Sequence, residues 1–209
     1  VSAQLEQAER YEDQGQYQQA EALYQQIVAE NPSTDVALDA QKRLTIVFVR
    51  QKKLSEANAA FQQLVTAFAD NPGLPKALDH VADAYREVGE YERALSLYEQ
   101  VVTSWPDSEK AAESQGSAAR MYIRLRDYVA ASAAVDKLIR DYGGSKEAAK
   151  AIDNVGDAYS DVHDYEKAME LYSWVAANSS DVERAVTSQA SLVRLYIKTD
   201  EYVKAEAET

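Results

Sequence analysis

The sequence predicts an all-α protein built from about six copies of one helix–turn–helix hairpin. Three observations carry that prediction: a strict internal period, helical spacing of apolar residues within each copy, and helix-breaking residues where each helical stretch must stop. The period is seen first in an alanine column. Ala20, in the phrase QYQQAEALY, has equivalents at Ala57, Ala94, Ala131, Ala168 and Ala205, each 37 residues on.

Three aromatic columns keep the same step. The first is Tyr11, Phe48, Tyr85, Tyr122, Tyr159, Tyr196; the second is Tyr17, Leu54, Tyr91, Tyr128, Tyr165, Tyr202; the third is Tyr24, Phe61, Tyr98, Val135, Tyr172. They hold 13 of the 14 tyrosines, so the tyrosines read as wedges between stacked helices rather than as a ligand platform. One array spans residues 1–209. Its repeats lie near 1–37, 38–74, 75–111, 112–148, 149–185 and 186–209, the last incomplete.

The third unit shows how each copy is organised. Leu78, Val81, Ala82 and Tyr85 recur at helical spacing, Gly89 interrupts, and Ala94, Leu97, Tyr98 and Val101 recur again. Gly15 and Gly89 sit where a first helix must end, because glycine tolerates the left-handed turn. His163 takes the same place, where histidine accepts positive φ better than most residues do. Second helices end near Pro32, Pro72 and Pro106. New starts are expected at Asp107 with Ser108, and at Ser180 with Glu183 as a capping box. A second small column, Ala8, Thr45, Ala82, Ala119, Gly156, Val193, lets the paired helices approach.

Composition narrows the function. Apolar residues make up 46% and charged residues 27%, ordinary for a folded protein, and only 7 glycines and 4 prolines argue against long linkers. Apolar runs such as Ile46 to Val49 are far too short to insert in a membrane. The net charge of -13 argues against nucleic acid and anionic lipid, since both need a basic face. With no cysteine there is no disulfide and no thiolate chemistry. His80 lies near Asp79 and Asp83 but lacks a nearby second histidine, so no metal is expected. No phosphate loop or nucleophile elbow occurs, so the chain reads as a non-enzyme without cofactors. Because the first residue is not Met, the chain reads as a mature form or a piece of something longer.

The segments AsnValGlyAspAlaTyr (154–159), TyrGluLysAlaMetGluLeuTyr (165–172) and TrpPro (105–106) resemble the tetratricopeptide repeat over essentially the whole chain. That family's usual unit is about 34 residues. The extra residues here fall in the longer turns, as in TrpProAspSerGluLys (105–110), and Ala69, Gly143 and Ser180 replace the terminal proline. This variant is similar to bacterial envelope members, including Tol–Pal-associated periplasmic proteins and outer-membrane assembly lipoproteins. The resemblance implies a right-handed α–α superhelix that binds a protein or peptide partner in a concave groove. It also implies a periplasmic or envelope location, with cytoplasm as the alternative. The lysine and asparagine columns with which some members clamp a C-terminal carboxylate are not reproduced.

Charge alternates between neighbouring units. Odd units carry Glu9, Asp13; Asp79, Asp83, Glu87; and Asp153, Asp157, Asp161 on one face of the first helix, at spacings of four. Even units carry Lys42, Arg50; Arg120, Arg124; and Arg194, Lys198. Turn residues alternate too, with Lys52, Arg126 and Asp200 in even units. The stripes read either as ion pairs between adjacent helices or as a groove matched to a partner of complementary charge. The central candidates for the groove are Asp83, Arg86, Arg120, Ile123, Arg124 and Asp157. A second functional reading is a spacer or assembly segment of a larger envelope or motility complex, joined end to end. Apolar residues of the last unit, Leu192 and Leu195, would then be covered by further repeats or a neighbouring copy.

Overall fold

The structure, a computed structural model, describes residues 2–207, with side chains described for residues 3–199. Its described residues form eleven helices and no strand. They are α1 (Ser2–Asp13), α2 (Tyr17–Glu30), α3 (Asp35–Arg50), α4 (Leu54–Ala67), α5 (Leu74–Glu87), α6 (Tyr91–Ser104), α7 (Ala111–Arg124), α8 (Tyr128–Tyr142), α9 (Lys146–Asp161), α10 (Tyr165–Asn178) and α11 (Val182–Ala207). Two compact units result, Val1–Lys110 with α1 to α6 and Ala111–Thr209 with α7 to α11.

Each hairpin closes by the same local chemistry. Residues Gly15, Lys52, Gly89, Arg126 and His163 all take positive φ, between 58° and 85°. The next residue's N–H then reaches back to the carbonyl of the first aromatic column: Gln16 to Tyr11 (2.8 Å), Lys53 to Phe48 (2.9 Å), Glu90 to Tyr85 (2.9 Å), Asp127 to Tyr122 (2.9 Å) and Asp164 to Tyr159 (3.0 Å). This satisfies carbonyls that the helix end would otherwise leave open. Second helices start immediately, at Tyr17, Leu54, Tyr91, Tyr128 and Tyr165. Ala20, Ala57, Ala94, Ala131 and Ala168 are fully buried where the second helix meets the first; Ala205 and Tyr202 lie outside the described side chains.

Caps differ in detail from the expectation. Helix α7 starts at Ala111, beyond Asp107 and Ser108. The cap of α11 is Asp181, whose Oδ1 accepts from the Arg184 N–H at 3.2 Å, so Ser180 is not used. Aspartate one residue later both caps the helix and faces its positive end. Thr34, Ser145, Asp127 and Asp164 cap α3, α9, α8 and α10.

The last helix departs most from the reading of the sequence. α11 runs unbroken through Asp200, where an inner turn is expected. No glycine or proline interrupts this stretch, and nothing there forces a left-handed residue. Leu195 is buried and Leu192 packs on the core of its unit. The exposed apolar residues are instead Val182, Val186, Val193, Tyr196 and Ile197.

Stacking alternates within each unit. Between the first and second hairpins, α2 carries the main contact to α3; between the second and third, α3 packs directly on α5. In the other unit α7 packs on α9, whereas α10 carries the contact to α11. First helices are thus pressed together at one joint and held apart at the next. A glycine fits the pressed joint: a Cβ on Gly116 of α7 would stand 2.7 Å from the Cβ of Ala151 on α9. The register equivalent of Gly116 is Lys42, and there α3 and α5 border a cleft of about 400 Å³ that includes Asp39, Lys76 and His80.

Candidate protein-interaction face

The first helices carry the charged columns, and the structure shows what holds them. In the first unit Arg50 of α3 bridges two neighbours. Its Nη1 donates to Glu12 of α1 at 2.9 Å and its Nη2 to Glu87 of α5 at 3.4 Å. Arg43 pairs with Glu9 at 2.8 Å and with Glu12 at 3.6 Å. In the second unit Arg124 of α7 approaches Asp161 of α9 at 3.9 Å, Lys150 of α9 donates to Glu113 of α7 at 3.1 Å, and Arg184 of α11 donates to Asp153 of α9 at 3.0 Å. The ladder of ion pairs between adjacent first helices therefore exists. Its half-exposed members contribute about 0–1 kcal/mol each, so they set register more than they stabilise.

A second set of contacts was invisible in the charge pattern. In each odd hairpin the buried third-column tyrosine reaches a carboxylate on the first helix. Tyr24 Oη donates to Glu12 at 2.8 Å, Tyr98 Oη to Asp83 at 2.7 Å, and Tyr172 Oη to Asp157 at 2.6 Å. Burial raises the pKa of all three phenols, and the neighbouring carboxylate adds to the rise. Even hairpins have Phe61 and Val135 in this column and cannot make the bond. They use a glutamine instead: Gln41 and Gln115 donate to the carbonyls of Ala60 (2.8 Å) and Ala134 (2.9 Å). The alternation between odd and even units is thus a difference in how each hairpin is locked.

The six candidate residues fall into two groups. Asp83 and Arg86 lie on α5, where Arg86 Nη2 donates to Asp83 Oδ1 at 3.0 Å beside the Tyr98 hydroxyl. Arg120, Arg124 and Asp157 lie in the second unit, Arg120 half-buried and the other two exposed. Ile123 does not belong with them. It is 1% exposed and part of the core that α7 shares with α8 and α9, so it offers nothing to a partner. Asp153, on the same stripe as Asp157, is also buried. Burial raises its pKa, outweighing the lowering by Ser188 and Arg184. Among the described residues no group of three or more histidines, cysteines or carboxylates is placed to hold a metal ion.

Family comparison decides what the hairpins are. Residues 5–72 and 77–110, all in the first unit, match two family models described as tetratricopeptide repeat. These first-unit hairpins are similar to tetratricopeptide repeats. The fold is also found in solved structures. A tetratricopeptide repeat protein from Parabacteroides merdae ATCC 43184 aligns with a TM-score of 0.57 at 20% identity, covering 99% of this chain and 76% of that one. Nearly identical TPR-like repeats of a putative kinesin light chain from Podosopora anserina align at 0.59 and 23% identity, covering 88% and 96%. Yeast Tom70 aligns at 0.63 and 14% identity, covering all of this chain (100%) and 43% of Tom70. No curated protein matches the chain by sequence. Tetratricopeptide repeats mediate protein–protein interactions and typically act as non-enzymatic scaffolds. No helix among the described residues is long and apolar enough to cross a membrane.

Proposed function

We propose that the chain is a non-enzymatic scaffold that binds a protein or peptide partner on the first-helix face of its repeats. The observation that carries this reading is the locked array of opposite charges on that face. Asp83 and Asp157 are held by tyrosine hydroxyls from behind, and Arg124 stands half-exposed beside Asp161. Fixed charges of both signs favour an extended segment of matching pattern, because they need no reordering on binding. The contact residues are Arg120, Arg124 and Asp157 in the second unit, and, on the equivalent face of the first unit taken by itself, Asp83 and Arg86. The cysteine-free sequence and the resemblance of its long repeat to envelope members support a periplasmic or envelope location. A photo-crosslinking residue at Asp157, compared with one at Glu170 on the second-helix side, tests the reading. Discrete adducts from Asp157 that vanish with Arg120→Glu/Arg124→Glu are expected. Adducts only from Glu170, or adducts indifferent to the charge reversal, would refute it.

A further inference from the structure

The joint between α3 and α5 differs from its counterpart in the second unit by a pair that does not form. Lys150 of α9 donates to Glu113 of α7 at 3.1 Å. In register these are Lys76 of α5 and Asp39 of α3. Asp39 is already engaged at both oxygens, Oδ1 by Lys42 and Oδ2 by Arg43. Lys42 stands where the second unit has Gly116, and there the cleft of about 400 Å³ opens between α3, α5 and the turn before α5. Lys42, Lys76 and His80 line it together with Asp35 and Asp39. Among the described residues Lys76 makes no ion pair or hydrogen bond, and His80 makes no hydrogen bond. The carboxylates of the wall have partners, since Asp35 too accepts from Asn71, at 3.0 Å. The N-terminus of α5, which no side chain caps at Gly73, faces the same cleft.

From this we infer that the cleft takes a carboxylate, held by the Lys76 ammonium and the His80 imidazole, and that an acidic side chain of the partner segment supplies it. The source of the carboxylate rests on the reading of the first-helix face given above. The cleft opens between two first helices, and Asp83 lies one turn along α5 from His80. An anion meets donors there that have no acceptor, and a charge-assisted bond to Lys76 is the strong kind. A cation would meet Lys76 and the positive end of α5 instead. Occupation is coupled to a proton. Burial holds His80 below the ordinary histidine range; Lys42 of α3, Lys110 beyond α6 and Lys76 of α5 act the same way, and Asp83 acts against them. A carboxylate beside the ring offsets those cations and favours the imidazolium. The acidic side chain is therefore held more tightly as pH falls through the histidine range.

The chain has 2 histidines, so NMR can follow the ring of His80 through a pH titration of the intact chain with His163 as internal control. The probe is the capped tripeptide acetyl-Gly-Glu-Gly-amide at tens of millimolar, against its Gln counterpart and against sodium chloride at matched ionic strength. The glutamate peptide should raise the His80 titration midpoint by about half a pH unit or more. The Gln peptide and the salt should not, and His163 should stay put. Lys76→Gln should remove most of that rise. Lys76 is exposed, so the fold survives the change, and unchanged circular dichroism checks this. The variant also lifts the midpoint of the free chain by removing a like charge, so the peptide-induced difference is the quantity compared. An equal rise at both histidines, an equal rise with the Gln peptide or salt, or a full rise in Lys76→Gln overturns the proposal. The titration needs no natural partner, so its failure is told apart from failure of the Asp157 crosslinking.

Discussion

Replacing Gly116 with alanine sets two known effects against each other. Glycine inside a helix is unfavourable relative to alanine by roughly 0.5–1 kcal/mol, so on local grounds the change stabilises α7. Packing argues the other way. The added Cβ would lie 2.7 Å from the Ala151 Cβ and 3.3 Å from the Ala151 Cα and carbonyl oxygen. The last two are backbone atoms, so no rotamer change relieves the contact and α7 must move away from α9. Overpacking of this kind costs about 1–3 kcal/mol. The net expectation is a loss of about 1–2 kcal/mol, a fall in Tm of several degrees for a domain of this size. Urea denaturation of Gly116→Ala reads the net of the two effects, and Gly144→Ala, in the turn between α8 and α9 where nothing lies within 4 Å of a Cβ, serves as the glycine-to-alanine change without a packing clash. Ala151→Gly, which removes the 2.7 Å contact but not the two backbone ones, should rescue Gly116→Ala in part in a double-mutant cycle. If Gly116→Ala proves as stable as Gly144→Ala, the claim that first helices are pressed together at this joint is wrong.

Three further outcomes follow from other features. Ala94→Leu places a large side chain where a fully buried alanine lets α6 meet α5, and should lower stability by about 1–3 kcal/mol in urea denaturation. Gly89→Ala meets no atom but must hold φ near 85°, so calorimetry should show a loss of about 1 kcal/mol from backbone strain alone. His80 is pushed below its ordinary pKa of 6.5 by burial, then by Lys42 and Lys110, with Asp83 opposing and Lys76 adding. Just below pH 6.5 the unfolded chain therefore binds more protons than the folded one. Stability should fall as pH drops through that window and then level off, and His80→Gln should flatten the slope in denaturation series from pH 7.5 to 5.

Some of this was legible in the residues and some was not, for physical reasons. The alanine column and the inner turns could be read because each imposes a requirement on one position: closeness at Ala94, left-handed backbone at Gly89 and His163. Lys52 and Arg126 adopt the same backbone without announcing it, since only the register places them there. The hairpin locks were hidden because a carboxylate's position on a helix face does not say which donor it takes. Asp83 looked like half of an ion pair, and it accepts from a tyrosine of the following helix as well as from Arg86. Ile123 was misplaced because two first helices pressed together bury a position that a more open joint would expose. Continuity of α11 through Asp200 could not be read either: at that column the residue permits a turn but does not compel one.

The three phenol–carboxylate bonds tie one side of a hairpin to the other. Whatever cation seeks the oxygen of Asp157 that Tyr172 already holds must compete with a hydroxyl rooted among buried side chains. Gripping a guest there would tug on the second helix behind it, and loosening that helix would slacken the grip. In the proposed binding mode, recognition and rigidity in the odd hairpins are two readings of one short bond.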